Sequence, residues 1–325
     1  MAEETFQENK APEAPRKKTR VNPAETVRQS LVIMKNEIKK FFSGKRMRVF
    51  SIILAVIVFI LAVAPYLVGS EAKAYMFVSI ASLVVLMAST LFASISIVSE
   101  YEERTALIVF TRPISKTSIF IGKALACLVV TIAFIVLYYV IATLVGLAVD
   151  HSVNADMYAS MGMACMYAFA TTGIAMLVSS LLKKASTSTI ITFVTLAIIL
   201  TAASMVLGAA DMDTSWMLTD ASESIEYASS DYRTFTNDLL DQLRDLVGDP
   251  TTFLVSNWEQ VLNDAGYDPN VFLVELNMVW GLSPDMVPEF ADVPEPDYAH
   301  DAVVMLCWGL VAFVLAFVAF LRRQF

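Results

Sequence analysis

Few residues in this chain have the types and spacing for chemistry, and most of them sit beside long apolar stretches. Gly44-Lys45 and Gly122-Lys123 hold the glycine-lysine pair of a phosphate-cradling loop, but they continue into Arg46 and Ala124, and no GxxxxGK[ST] pattern occurs. The chain does not bind ATP by that device. HExxH, GxSxG and paired-cysteine zinc patterns are absent as well. His151 and His300, the two histidines, stand at the ends of apolar stretches and read as interfacial residues. Cys127, Cys165 and Cys307 lie inside such stretches, so no disulfide framework is expected. Acids near Met212, Met217, Met278 and Met286 lack EF-hand spacing and read as a solvated face, so no metal site is expected.

Two sets of side chains remain. Residues 99–123, SEYEERTALIVFTRPISKTSIFIGK, are acidic first and basic later, with Glu100, Glu103, Arg104, Thr105, Arg112, Pro113, Ser115 and Lys116 in order. Leu107, Ile108 and Phe110 make an apolar patch too short to cross a bilayer, and Pro113 breaks it. A short amphipathic helix and a turn fit that pattern, lying against headgroups or against another protein. The second set is hydroxylated. Ser82, Ser89 and Ser96 recur every seven residues, Thr192, Thr195 and Ser204 mark a later stretch, and Thr131, Tyr138, Tyr139 and Thr143 mark another. Such residues serve close helix packing or bond their own backbone; the alternative is a translocation path.

The elements that position these residues follow from hydropathy and charge. Of 325 residues 57% are hydrophobic, and mean hydropathy is positive, which describes an all-α polytopic membrane protein rather than soluble domains. A hydrocarbon core of about 30 Å requires about 20 apolar helical residues. Six stretches qualify, at 49–69, 74–99, 123–148, 157–182, 188–209 and 301–321, and none carries an ionisable residue near its middle.

Crossing six times leaves twenty of the 23 Lys and Arg on one side, and loop Lys/Arg bias sets orientation, so both termini are expected in the cytoplasm. Residues 210–301 hold twenty acids and two bases, a net of −18, against −9 for the whole chain. The organisation read from this is a disordered leader at 1–21, an amphipathic interfacial helix at 22–46, five spans over 49–209 with an inner loop at 100–122, a small acidic helical extracellular insertion at 210–300, and a sixth span with a short tail at 301–325. Asn22, Pro23 and Glu25 suit a helix start, Gly44 a helix end, and Val27, Leu31, Met34, Ile38 and Phe41/Phe42 an apolar face opposite Arg28, Lys35, Lys39 and Lys40. In the insertion, helices are expected around 235–247, 251–262 and 269–280. The leader is too long and hydrophilic for a cleaved signal peptide, which makes the first span an uncleaved anchor.

Glu100, Glu103, Thr105, Pro113, Ile114, Ser115, Lys116 and Lys123 stand in the order of a motif of the ABC transporter type-2 permeases, which the chain resembles. In that family an acid ends the second span, a Gly-Thr pair and a Pro-Ile-Ser-Arg turn follow, and Gly-Lys opens the third span. Here Arg104 replaces the glycine and Lys116 the arginine. The amphipathic helix, six spans and external insertion resemble the family too. The resemblance implies that the loop of Glu100 to Lys116 is a coupling helix seated on a separate ATP-binding subunit, which carries ATP and Mg, this chain binding no cofactor itself. It also implies a second permease chain, identical or paralogous, and a location in the plasma membrane. Ser82, Ser89, Ser96, Thr192 and Thr195 are the expected lining of the path.

Carriers driven by protons or ions place charges inside their spans despite the cost. The uncharged spans here disfavour that class, so the energy for any transport enters from another subunit. An ATP-driven export permease is the leading reading. The alternative is a receptor or scaffold with an acidic external sensing domain and a basic inner leader. Nothing points to nucleic acid as a partner.

Overall fold

A computed structural model of the chain describes residues 23–67, 74–102, 115–149, 151, 155–210, 212–234, 236–238, 293 and 295–322. The leader, the loop stretch 103–114 and the insertion helices expected at 235–247, 251–262 and 269–280, apart from residues 236–238, lie outside the described residues. Within them, six helices are long and apolar enough to cross a membrane. Helix α1, Pro23–Ser43, ends one residue before α2, Lys45–Leu67, which forms the first span. Gly44 makes that corner, its N–H donating to the Phe41 carbonyl at 3.0 Å.

The second span is not one helix but three pieces, α3 Ala74–Val78, α4 Ala81–Phe92 and α5 Val98–Glu102, with a turn over 93–97. The third span, α6, runs over Lys116–Val149 and starts seven residues before the stretch read from hydropathy. Its start is set by a cap that hydropathy does not register: the Ser115 hydroxyl accepts the N–H of Ser118 at 3.0 Å. The fourth span is α7, Asp156–Leu181. The fifth joins α8 Ala185–Val194 to α9 Leu200–Ala209 through a π-helical turn, Thr195–Ile199. Helix α10, Leu218–Tyr227, follows it, and α11, Tyr298–Arg322, is the sixth span.

Burial divides these helices. In the fourth span 61% of the apolar window is buried, against 11% in each of the first and fifth, so the fourth is the hub and those two are peripheral. The hub packs closely on the sixth span because small residues allow it. A Cβ at Gly309 would sit 2.4 Å from Phe169, and one at Gly173 would sit 3.0 Å from the Gly309 carbonyl oxygen. Phe50, Phe92 and Phe134 tie the first span to the second and third, with Phe50 4.7 Å from Phe134 and 5.6 Å from Phe92 between ring centroids.

Connectivity puts α1 and α5, with the starts of α6 and α8 and the end of α11, at one end of the bundle, here the basic end. Helix α10 and the start of α11 lie at the other, acidic end. Helix α1 packs on the third span through Ser30, Ile33, Glu37 and Phe41, while Val27, Leu31 and Phe42 stay 60%, 48% and 63% exposed beside its basic residues. The helix thus has a packed face, an apolar outer face and a charged one.

Candidate functional site

The interruption at 93–97 frees backbone groups that a membrane helix cannot leave unsatisfied. Three neighbouring spans supply partners. The Ser179 hydroxyl of the fourth accepts the N–H groups of Ile97 and Val98, both at 3.1 Å. Ser188 of the fifth donates to the Ser94 carbonyl. Lys123 of the third donates from Nζ to the Ser96 carbonyl at 2.9 Å. A break in one span is therefore the place where four spans meet.

Lys123 does more than repair the break. Its Nζ lies 2.8 Å from Glu37 Oε1 of α1 and 2.8 Å from Glu100 Oε1 of α5, and its side chain is 1% exposed. A lone ammonium at that depth would carry a large desolvation cost, which two carboxylates in direct contact offset. Gly122 explains how α1 comes close enough to take part. A Cβ there would lie 2.7 Å from the Ser30 carbonyl oxygen and 2.8 Å from Ile33, so only glycine lets the two backbones meet. Glycine and lysine thus have one task between them: the first admits α1 and the second locks it to the end of the second span.

Both ends of the loop that follows are fastened. Before it, the Glu102 carboxylate accepts the N–H of Ala185 at 2.8 Å, capping the first turn of the fifth span. After it, Ser115 caps α6, and Ser118 donates to Gln29 Oε1 of α1 at 3.2 Å. Of the loop residues singled out in the sequence, Glu100, Ser115 and Lys116 fall at these anchors; Glu103, Arg104, Thr105, Arg112 and Pro113 lie outside the described residues.

The hydroxylated set is dispersed. Ser82, near the acidic end, donates to Glu226 at 2.9 Å, and Ser89, fully buried, bonds the Leu86 carbonyl of its own helix. Ser96 falls in the interruption, so the three serines do not share one unbroken helix. Thr192 is fully buried and Thr195 opens the π-helical turn.

Hydrophobic periodicity passed over Glu37 and Glu102, and it set Lys123 at the edge of a span rather than inside it. For Glu37 a signal existed: it falls on the row Ser30, Ile33, Glu37, Phe41, spaced by three and four residues. Glu102 carries no comparable mark.

At the acidic end, α10 rests on the second, fourth and sixth spans. Ser160 donates to the Ile225 carbonyl at 2.5 Å, Tyr139 and Ser160 share a 2.6 Å bond, and Asp156 accepts the N–H of Ser230 at 3.1 Å. Glu226 has no ion-pair partner among the described residues; burial pushes its carboxyl up to about 7, and the Ser82 bond offsets part of that.

Among the described residues the basic-end arrangement contains no nucleophile placed against a base. It is suited to passing displacement between helices. No curated protein matched the chain. The family model described as ABC-2 family transporter protein matches residues 31–325, which include Glu37, Glu100, Glu102 and Lys123. The chain belongs to the ABC-2 family of transporter proteins, and by that membership it is a membrane permease component of an ABC transporter.

Proposed function

We propose that the chain is one half of an ATP-driven export permease whose basic-end joint receives force from a separate ATP-binding subunit. The observation that carries this reading is the anchoring of both loop ends to other helices. Force applied to residues 103–114 passes through Glu100 and Lys123 to the second and third spans, through Glu37 to α1, and through Glu102 to the fifth span. Glu103, Arg104, Thr105, Arg112 and Pro113 form the contact with the ATPase in this scheme, with Glu100, Ser115 and Lys116 as its roots. ATP and Mg bind the partner alone. The basic end faces the cytoplasm, with both termini there, and the membrane is the plasma membrane.

The loosely packed first and fifth spans support a second permease chain, because their exposed apolar faces have room for one. Ser82, Ser89, Ser96, Thr192 and Thr195 would border the path once the halves move. The π-helical turn that starts at Thr195 supports this, since such turns concentrate at functional sites.

Two variants test the scheme. Changing Glu103, Arg104 and Arg112 together to alanine is expected to abolish co-purification of a soluble ATPase. Changing Lys123→Met, Glu37→Gln and Glu100→Gln together is expected to keep the ATPase bound and abolish transport. Retention of the ATPase by the first variant would overturn the docking assignment, and normal transport by the second would overturn the role of the joint.

A further inference from the structure

At the corner between α1 and α2 a cavity of about 220 Å³ opens beside the joint, and its wall joins two chemistries. Lys40, Lys45 and Arg46 contribute positive charge, while Phe41, Phe92 and Ile95 supply an apolar floor. Among the described residues Glu37 is the one acid in the wall, and it already faces Lys123. Lys40 and Lys45 have no ion-pair partner among the described residues. Ser96 also lines the cavity; it is 3% exposed, and its carbonyl is held by Lys123.

The level of the cavity narrows the ligand. It lies where the first span begins, and the neighbouring Phe42 and Val49 are 63% and 50% exposed, apolar surface that a bilayer would cover. A cationic rim over an apolar floor at that level matches an amphiphile with an anionic head. Basic pockets between membrane helices at the cytoplasmic level take acidic lipid headgroups.

We propose that this corner is a discrete binding site for the phosphate headgroup of an anionic phospholipid from the leaflet at the basic end. Lys40, Lys45 and Arg46 hold the headgroup, and the acyl stem begins against Phe41 and Ile95. Because Glu37, Phe41 and Ser96 belong to both the cavity wall and the joint or its packing, the lipid braces α1 against the second span. The inference depends neither on the ATPase nor on export.

The test uses the full chain extracted from mixed phosphatidylglycerol and phosphatidylcholine membranes. Native mass spectrometry then counts the lipids that survive in detergent. The expected result is about one phosphatidylglycerol per chain, at least tenfold depleted in the Lys40→Gln, Lys45→Gln, Arg46→Gln variant. A charge-matched control, Lys35→Gln, Lys39→Gln, Arg48→Gln, removes three cations outside the cavity and should keep the lipid. Equal loss in both variants would reduce the effect to surface charge and overturn the proposal, as would equal retention of both lipids by the native chain. Displacement by millimolar inorganic phosphate alone would identify a free-anion site and overturn the lipid assignment.

Discussion

Carboxylates leave water at both ends of this molecule, and the two ends treat them oppositely. At the basic end Glu37 and Glu100 close on a buried ammonium, so charge is retained and three helices are locked together. At the acidic end Glu226 is set into the α10 packing with a serine hydroxyl and, among the described residues, no cation, and Glu223 lies within reach of Asp220, Glu226 and Asp301. Pairing makes a carboxylate a rigid fastener, because separating the charges strands each in a poor solvent. Without a counter-charge the same group answers to protons instead. The basic end is thus held rigid by charge pairing, and the acidic end is left to loosen with pH.

The largest effect that would break this contrast comes from Lys123→Met. Two buried carboxylates would lose their shared cation, and removal of one partner from a buried pair costs about 3–5 kcal/mol. Thermal unfolding in nanodiscs should show the loss, and the neutral triple variant with Glu37→Gln and Glu100→Gln should recover most of it. A single variant as stable as the native chain would mean that the ammonium is not the fastener.

Next comes Gly122→Val, which forces side-chain atoms into the Ser30 carbonyl. Overpacking of this kind costs about 1–3 kcal/mol. Limited proteolysis should cut α1 free faster in this variant while the spans stay intact.

Glu102→Ala should cost about 1 kcal/mol, the usual size of a lost helix cap. Hydrogen exchange confined to the first turn of the fifth span, at Ala185 and Ser186, would report it.

The smallest effect lies at the acidic end and depends on pH. Because burial raises the Glu226 carboxyl from 4.5 to about 7 on folding, the native state holds its proton over a range where the unfolded chain has released it. Packing of α10 is therefore at full strength below about 4.5, weakens as pH rises toward about 7, and is level above that. Exchange protection of α10 should fall over that window in the native chain. The fall should be smaller in Glu226→Gln, where Glu223 still titrates over the same window, and smallest in the Glu223→Gln, Glu226→Gln double variant.

Much of this plan was legible in the sequence, for reasons that also explain what was not. Apolar length and Lys/Arg bias are summed over many residues, so all six spans emerged, and Pro23 and Gly44 marked the bounds of α1 because each has a local backbone reason to be there. The break at 93–97 was hidden. Its cause lies in side chains 82 to 94 positions away, Ser179 and Ser188, which no local pattern encodes. The packed face of α1 was legible in part. Ile38 and Phe41 of the apolar stripe pack on the core, while Val27, Leu31 and Phe42 of the same stripe face outward and Ser30 and Glu37 join the packed face instead. Helix α10 escaped notice because its buried face is Leu218, Ala221, Ser224 and Ile225, two of them small. Glu103, Arg104, Thr105, Arg112 and Pro113 were drawn from a motif, and their contacts belong to the proposal.

The most direct test of the joint is a distance measurement on the reconstituted permease with its ATPase. Spin labels at Lys35 on α1 and Ser186 at the start of the fifth span would be compared with and without ATP. The account predicts an ATP-driven change in the native chain that disappears in the Lys123→Met, Glu37→Gln, Glu100→Gln variant while the ATPase stays bound. An unchanged response in that variant would contradict it.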